Sequence, residues 1–165
     1  TGEYRGRIII PSFDQEGDCS YFIARSYTGD SYRYKNPPAS KDVVFNELYI
    51  NWNEDLVLVE GAFDALVAGN AVPILGSTLR KGSDLLRRIV RNDTPIYMAL
   101  DPDAAAKERR IIKTLLEYDI ELYKIDVSGY DDVGSMSREI FEERKNNASF
   151  IDPDNYLLLD LLSAI

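Results

Sequence analysis

Leu56-Val57-Leu58-Val59-Glu60-Gly61-Ala62-Phe63-Asp64 is the stretch on which the fold turns. Four apolar residues in succession, two of them valine, predict a short strand buried on both faces, as in a parallel sheet. Glu60 closes the strand, Gly61 turns the chain, and residues 62–69 continue as a helix. A carboxylate at the carboxyl end of a parallel strand stands where open α/β sheets hold their ligands. A second such strand end follows in Ile96-Tyr97-Met98-Ala99-Leu100, then Asp101-Pro102-Asp103. Three acids at two strand ends point to a metal site.

Downstream of Leu56 the alternation continues, with strands expected at 72–75, 96–100 and 120–125 and helices at 83–91, 104–118 and 135–146. Strands alternating with helices of this size argue for right-handed βαβ units and an α/β fold with a mainly parallel sheet. Upstream the texture differs. Residues 7–12, 20–26 and 31–35 read as short strands joined by turns rich in Gly and Asp, an antiparallel meander. At the far end, Asp152-Pro153-Asp154 caps a last helix, 156–165, that is apolar nearly all round. The organisation expected is a strand-rich unit at 1–53, an α/β unit at 54–146 and a helical extension at 147–165.

Composition narrows the chemistry. A chain of 165 residues with 45% apolar and 28% charged residues is an ordinary soluble globular protein. No apolar run approaches the roughly 20 residues that cross a bilayer, so no membrane partner is expected. With one cysteine and no histidine, an internal disulfide, a Cys/His zinc site and a histidine general base are excluded. Cys19 reads as a small residue at the start of a strand, and a reducing, cytoplasmic setting fits. The opening Thr-Gly-Glu suggests a processed or excised piece of something longer. The net charge of −9 counts against nucleic-acid binding, unless negative charge is clustered and neutralised by divalent cations.

The acids divide into candidates of different weight. Asp101 and Asp103, spaced by Pro102, can aim at one point above the sheet, and Glu60 can complete the site or act as a general base. Hard cations such as Mg²⁺ take oxygen ligands and retain waters, so two or three carboxylates suffice. The competing role for Asp103 is a helix cap. Asp64 serves equally well as a metal ligand or as compensation for the helix dipole. Asp131 and Asp132 follow a third strand. A basic and aromatic set, Arg25, Arg33, Tyr34, Lys35 and Asn36, offers phosphate contacts and a stacking ring, or simply a solvated strand face. The segment Gly76–Gly82 lacks the spacing of a phosphate-binding loop, although its amides could meet an anion.

Taken in order, these motifs resemble a known family. Val59-Glu60-Gly61-Ala62-Phe63-Asp64-Ala65-Leu66, Leu75-Gly76-Ser77 and Leu100-Asp101-Pro102-Asp103-Ala104-Ala105 are similar to the Toprim domain of primases, topoisomerases and some nucleases. Gly6-Arg7-Ile8-Ile9-Ile10-Pro11, Asp14, Gly17, Phe22, Arg25 and Arg33-Tyr34-Lys35-Asn36-Pro37-Pro38 resemble the segment that precedes Toprim in DnaG-type primase cores of bacteria and phages. The resemblance implies a Rossmann-like, four-stranded, mainly parallel sheet flanked by helices, preceded by a small mixed subdomain. It implies a Mg²⁺- or Mn²⁺-dependent nucleotidyl transferase making short RNA primers on a single-stranded DNA template from nucleoside triphosphates, with a replicative helicase as a candidate partner. Glu60, Asp101 and Asp103 match the family's principal acids; Asp64 and Asp132 match further metal-site acids. Arg25 and Arg33 match basic residues associated with nucleotide or template. Pro102 replaces a common glycine, and Gly134 stands where a further acid is usual. No zinc ribbon is present, which implies a core incomplete for catalysis. Two alternatives remain: a Toprim nuclease or topoisomerase-like module, and an inactive domain that binds nucleic acid or protein.

Overall fold

The computed structural model describes residues 2–29, 32–75 and 79–162. The chain forms two compact units, Thr1–Ile50 and Asn51–Ile165.

In the first unit, β1 (Arg7–Phe13) pairs antiparallel with β2 (Cys19–Ser26), with an irregularity between Ser12 and Phe13. Asp14 makes the turn: its carboxylate accepts from Asp18 N at 2.9 Å, and Gly17 takes φ +86, a conformation that glycine adopts without Cβ strain. Tyr21, Ile23, Ala24, Val44 and Phe45 are buried. Buried Ser12 anchors the chain beyond, since its hydroxyl accepts from Asn46 N at 2.9 Å while Asn46 Oδ1 accepts from Phe13 N at 3.3 Å. The expected third strand shrinks to one bridge, Arg25 opposite Tyr34, flanked by Ser26 N to Arg33 O and Lys35 N to Ala24 O. Asn36-Pro37-Pro38 follows at once, and proline cannot donate to a ladder. Ser31 lies outside the described residues.

The second unit contains β3 (Leu56–Val59), α1 (Ala62–Ala68), β4 (Ala71–Pro73), α2 (Asp84–Asn92), β5 (Ile96–Ala99), α3 (Ala105–Leu116), β6 (Leu122–Lys124), α4 (Arg138–Asn146), β7 (Ser149–Phe150) and α5 (Pro153–Leu162). The sheet order is β4-β3-β5-β6-β7, all parallel except β7. All four residues of β3 are fully buried. Val57 and Val59 join Ala68, Phe141, Val133 and Met136 in the core on one face. Period-two alternation turns Leu56 and Leu58 the other way, the side left to α2 and α3, which bury Leu86, Ile89, Ile111 and Leu115.

The sheet therefore has five strands rather than four. The fifth, β7, is two residues long and carries no periodicity, so only its antiparallel pairing with β6 reveals it. The helix expected from residue 104 is a 3₁₀ turn, Pro102–Ala104, running into α3. Asp152 caps α5 as expected, accepting from Asp154 N at 3.2 Å.

Candidate metal centre

The strand order fixes where a ligand can sit. From β3 the chain crosses through α1 to β4 on one side; from β5 it crosses through α3 to β6 on the other. Neighbouring strands whose connections diverge leave a crevice at their carboxyl ends. Val59 lies opposite Ala99 in the parallel register, so Glu60 and the Leu100-Asp101 step both emerge at that crevice. Pro102 holds the residue before it out of the helical region, and Asp101 is extended at φ −60, ψ 147.

Two carboxylate oxygens here are buried with no hydrogen-bond partner: Glu60 Oε1 and Asp101 Oδ1. Such atoms cost about 1–3 kcal/mol each when left unmet. Burial, and then the charges of Glu60, Asp64, Asp132 and Asp103, push the Asp101 carboxyl up to about 6. These acids therefore share one neighbourhood and repel one another. Asp103 is exposed within the 3₁₀ turn and does not cap α3, whose N-cap position is Ala104 with no side-chain cap bond. Asp132 is half-buried and extended just before the 3₁₀ turn Val133–Ser135, its carbonyl accepting from Ser135 Oγ at 2.7 Å.

Asp64 is the surprise. It is 6% exposed, and both its oxygens serve backbone amides: Oδ2 accepts from Gly61 N at 2.8 Å and Oδ1 from Gly134 N at 2.9 Å. Burial pushes its carboxyl up while the two amides pull against that. A Cβ at Gly134 would stand 2.9 Å from Asp64 Oδ1, and one at Gly61 3.0 Å from Oδ2, so both glycines are what lets Asp64 close in. Asp64 thus ties the first strand end to the turn carrying Asp132. Sequence reasoning weighed only ligation and dipole compensation for it.

Lys107 was also missed. From the first turn of α3 its ammonium reaches Glu60 Oε2 at 2.6 Å. The signal was available, since a cation in a helix's first turn opposes the dipole and implies an external anion.

Among the described residues no three of these acids converge to a metal-ligating cluster. The donor set still fits a hard divalent ion: all its ligands are oxygens, two of them buried and partnerless on adjacent strand ends, and Mg²⁺ fills the balance of its shell with water.

The basic set lies in the first unit. Two guanidiniums lie near the Tyr34 ring, Arg33 Cζ at 5.7 Å and Arg25 Cζ at 5.9 Å from its centre. Lys35 pairs with Glu3 at 3.1 Å and lies 5.5 Å over the Tyr4 ring. Asn36 Oδ1 accepts from Ala24 N at 3.4 Å. Arg25, Arg33 and Tyr34 therefore form one group, whereas Lys35 and Asn36 are taken up by local structure. The part of the 76–82 loop at Gly76, Ser77 and Thr78 lies outside the described residues.

A strand-rich unit followed by an α/β unit with acids at the switch point is the primase Toprim fold. The fold is that of DnaG primase catalytic cores. The E. coli primase catalytic core is similar with a TM-score of 0.76 and 20% identity, over 97% of this chain and 57% of that one. The zinc-binding and RNA polymerase domains of the Aquifex aeolicus primase give 0.74 and 23%, over 90% and 41%. A DnaG primase catalytic domain bound to single-stranded DNA gives 0.73 and 20%, over 97% and 56%. The chain spans about half the length of these structures. No family model matches it, and no curated protein does.

Proposed function

We propose that the chain is the catalytic core of a DNA primase, joining nucleotides into short RNA primers on a single-stranded DNA template. One observation carries this reading: the switch-point acids with partnerless buried oxygens, Glu60 and Asp101, sit in a fold that matches primase cores over 97% of the chain. Glu60, Asp101 and Asp103 would hold Mg²⁺ or Mn²⁺, with Asp132 at the margin. Bound there, the ion supplies neutralisation of charge on the transferring phosphoryl group and alignment of the attacking hydroxyl.

The chain's own residues do the positioning. Asp64 braces the crevice through Gly61 and Gly134 instead of ligating. Pro102 keeps Asp101 extended toward it. Arg25 and Arg33 supply phosphate contacts, and Tyr34 beside them a ring on which a base can stack; Lys35 adds charge at the edge and Asn36 fixes the loop. The single-stranded DNA seen on the similar catalytic domain supports this choice of template. Nucleoside triphosphates are then the substrates, a replicative helicase the natural partner and the cytoplasm the setting. No helix among the described residues is long and apolar enough to cross a membrane.

The test is primer synthesis from nucleoside triphosphates on single-stranded DNA with Mn²⁺, comparing the chain with Glu60→Gln. Abolished synthesis in the variant is expected; equal synthesis in both sinks the assignment. A second reading, a binding module that keeps the fold without the chemistry, is favoured by the lysine already seated on Glu60. Calorimetry with Mn²⁺ separates the two, because such a module would bind no Mn²⁺.

A further inference from the structure

Lys107 stands on the first turn of α3, the part of a helix least suited to a cation, because unpaired amides there already carry positive partial charge. Its ammonium nevertheless meets Glu60 Oε2 at 2.6 Å, across 47 residues of sequence, with the side chains only 22% and 21% exposed. The contact is therefore tertiary and well shielded. It is also incomplete. Glu60 Oε1 stays buried without a partner, and so does Asp101 Oδ1 on the neighbouring strand end. One ammonium is a monovalent answer to a crevice that gathers several carboxylates.

We propose that Lys107 is an exchangeable counter-ion for Glu60, displaced when a divalent cation binds at the crevice. This rests on the reading of the crevice as a metal centre. The choice of lysine fits. Its ammonium is a compact charge on a flexible four-carbon stem, whereas an arginine fork would grip both carboxylate oxygens. While seated, Lys107 offsets the charge that Glu60 would otherwise press on Asp101. Once displaced, it returns its positive charge to the mouth of the same crevice. Metal and lysine then compete for one carboxylate, and by linkage each weakens the other by the same factor.

The experiment is Mn²⁺ calorimetry on the whole chain, with Lys107→Met, Glu60→Gln and the double variant. Lys107→Met is expected to bind Mn²⁺ about fivefold tighter, the factor equivalent to one exposed-to-shielded ion pair. That gain should vanish in the Glu60→Gln background, because a through-space field effect would persist there and an exchange would not. Unchanged affinity in Lys107→Met, or the same gain without Glu60, overturns the exchange while leaving the metal centre standing. Glu60→Gln binding Mn²⁺ as tightly as the unaltered chain overturns the metal centre itself. Lys107→Gln stands in if the methionine variant does not fold. In the unaltered chain, the ¹⁵N-ammonium resonance of Lys107 should move in step with Mg²⁺ occupancy; a resonance that stays fixed while Mg²⁺ binds also overturns the proposal.

Discussion

The acidic crevice and the basic-aromatic strip show opposite energetics. In the strip, groups are paired on the spot: Lys35 with Glu3, Asn36 with Ala24 N, and Tyr34 with two nearby guanidiniums. In the crevice, like charges are gathered, two buried oxygens lack partners and one lysine meets Glu60. Folding does not assemble unfavourable contacts without compensation elsewhere, and conflicts of this kind mark functional positions. The crevice concentrates like charge, whereas the strip pairs its charges locally.

The sharpest way to break this contrast is Asp101→Asn. Primer synthesis should fall by about a hundredfold or more, while Tm rises by roughly 2–4 °C, because a disfavoured charge is removed. A variant that loses activity and stability together would mean that Asp101 was structural. Gly134→Ala comes next. Its Cβ would meet Asp64 Oδ1 at 2.9 Å, and overpacking of this kind costs about 1–3 kcal/mol, which urea denaturation would register; an unchanged midpoint would remove the brace.

Acidity tests the crevice without mutation. The folded Asp101 carboxyl holds its proton up to about 6, against an ordinary 3.8. The folded state therefore binds the extra proton between those values. Stability from this group is full below about pH 4 and is lost as pH rises through 6. Mn²⁺ affinity runs the other way, since proton and metal compete, and should be about fourfold weaker at pH 5.5 than at 7.5 by calorimetry. The smallest effect belongs to the strip. Arg33→Ala should weaken single-stranded DNA binding a few-fold and lower the salt slope by about one ion, whereas Lys35→Ala, already paired to Glu3, should change little; fluorescence anisotropy across a salt series distinguishes them.

Much of this was legible in the chain, for reasons that can be located. Leu56–Val59 announced a doubly buried strand because nothing polar interrupts it, and Asp101-Pro102-Asp103 announced a turn because proline leaves few alternatives. The short order of motifs was enough to anticipate the fold, including the strand-rich unit before it. What escaped was tertiary. Ser149–Phe150 is a strand only because β6 offers an edge, and residues 32–35 fail to be one because the prolines end the pairing. Asp64 could not be understood without Gly134, seventy positions away. Lys107 carried no expectation from the sequence, and only the fold sets Glu60 opposite it.

The Asp64–Gly134 bond has one more use. A single amide proton, belonging to a glycine in a turn, is held by a carboxylate that also fixes the end of the most buried strand. Its exchange with solvent therefore reports on the crevice from the inside: it slows only when the first strand end and the distant turn are both in place. In a two-dimensional amide spectrum that one peak distinguishes a molecule whose site is assembled from one that is merely folded.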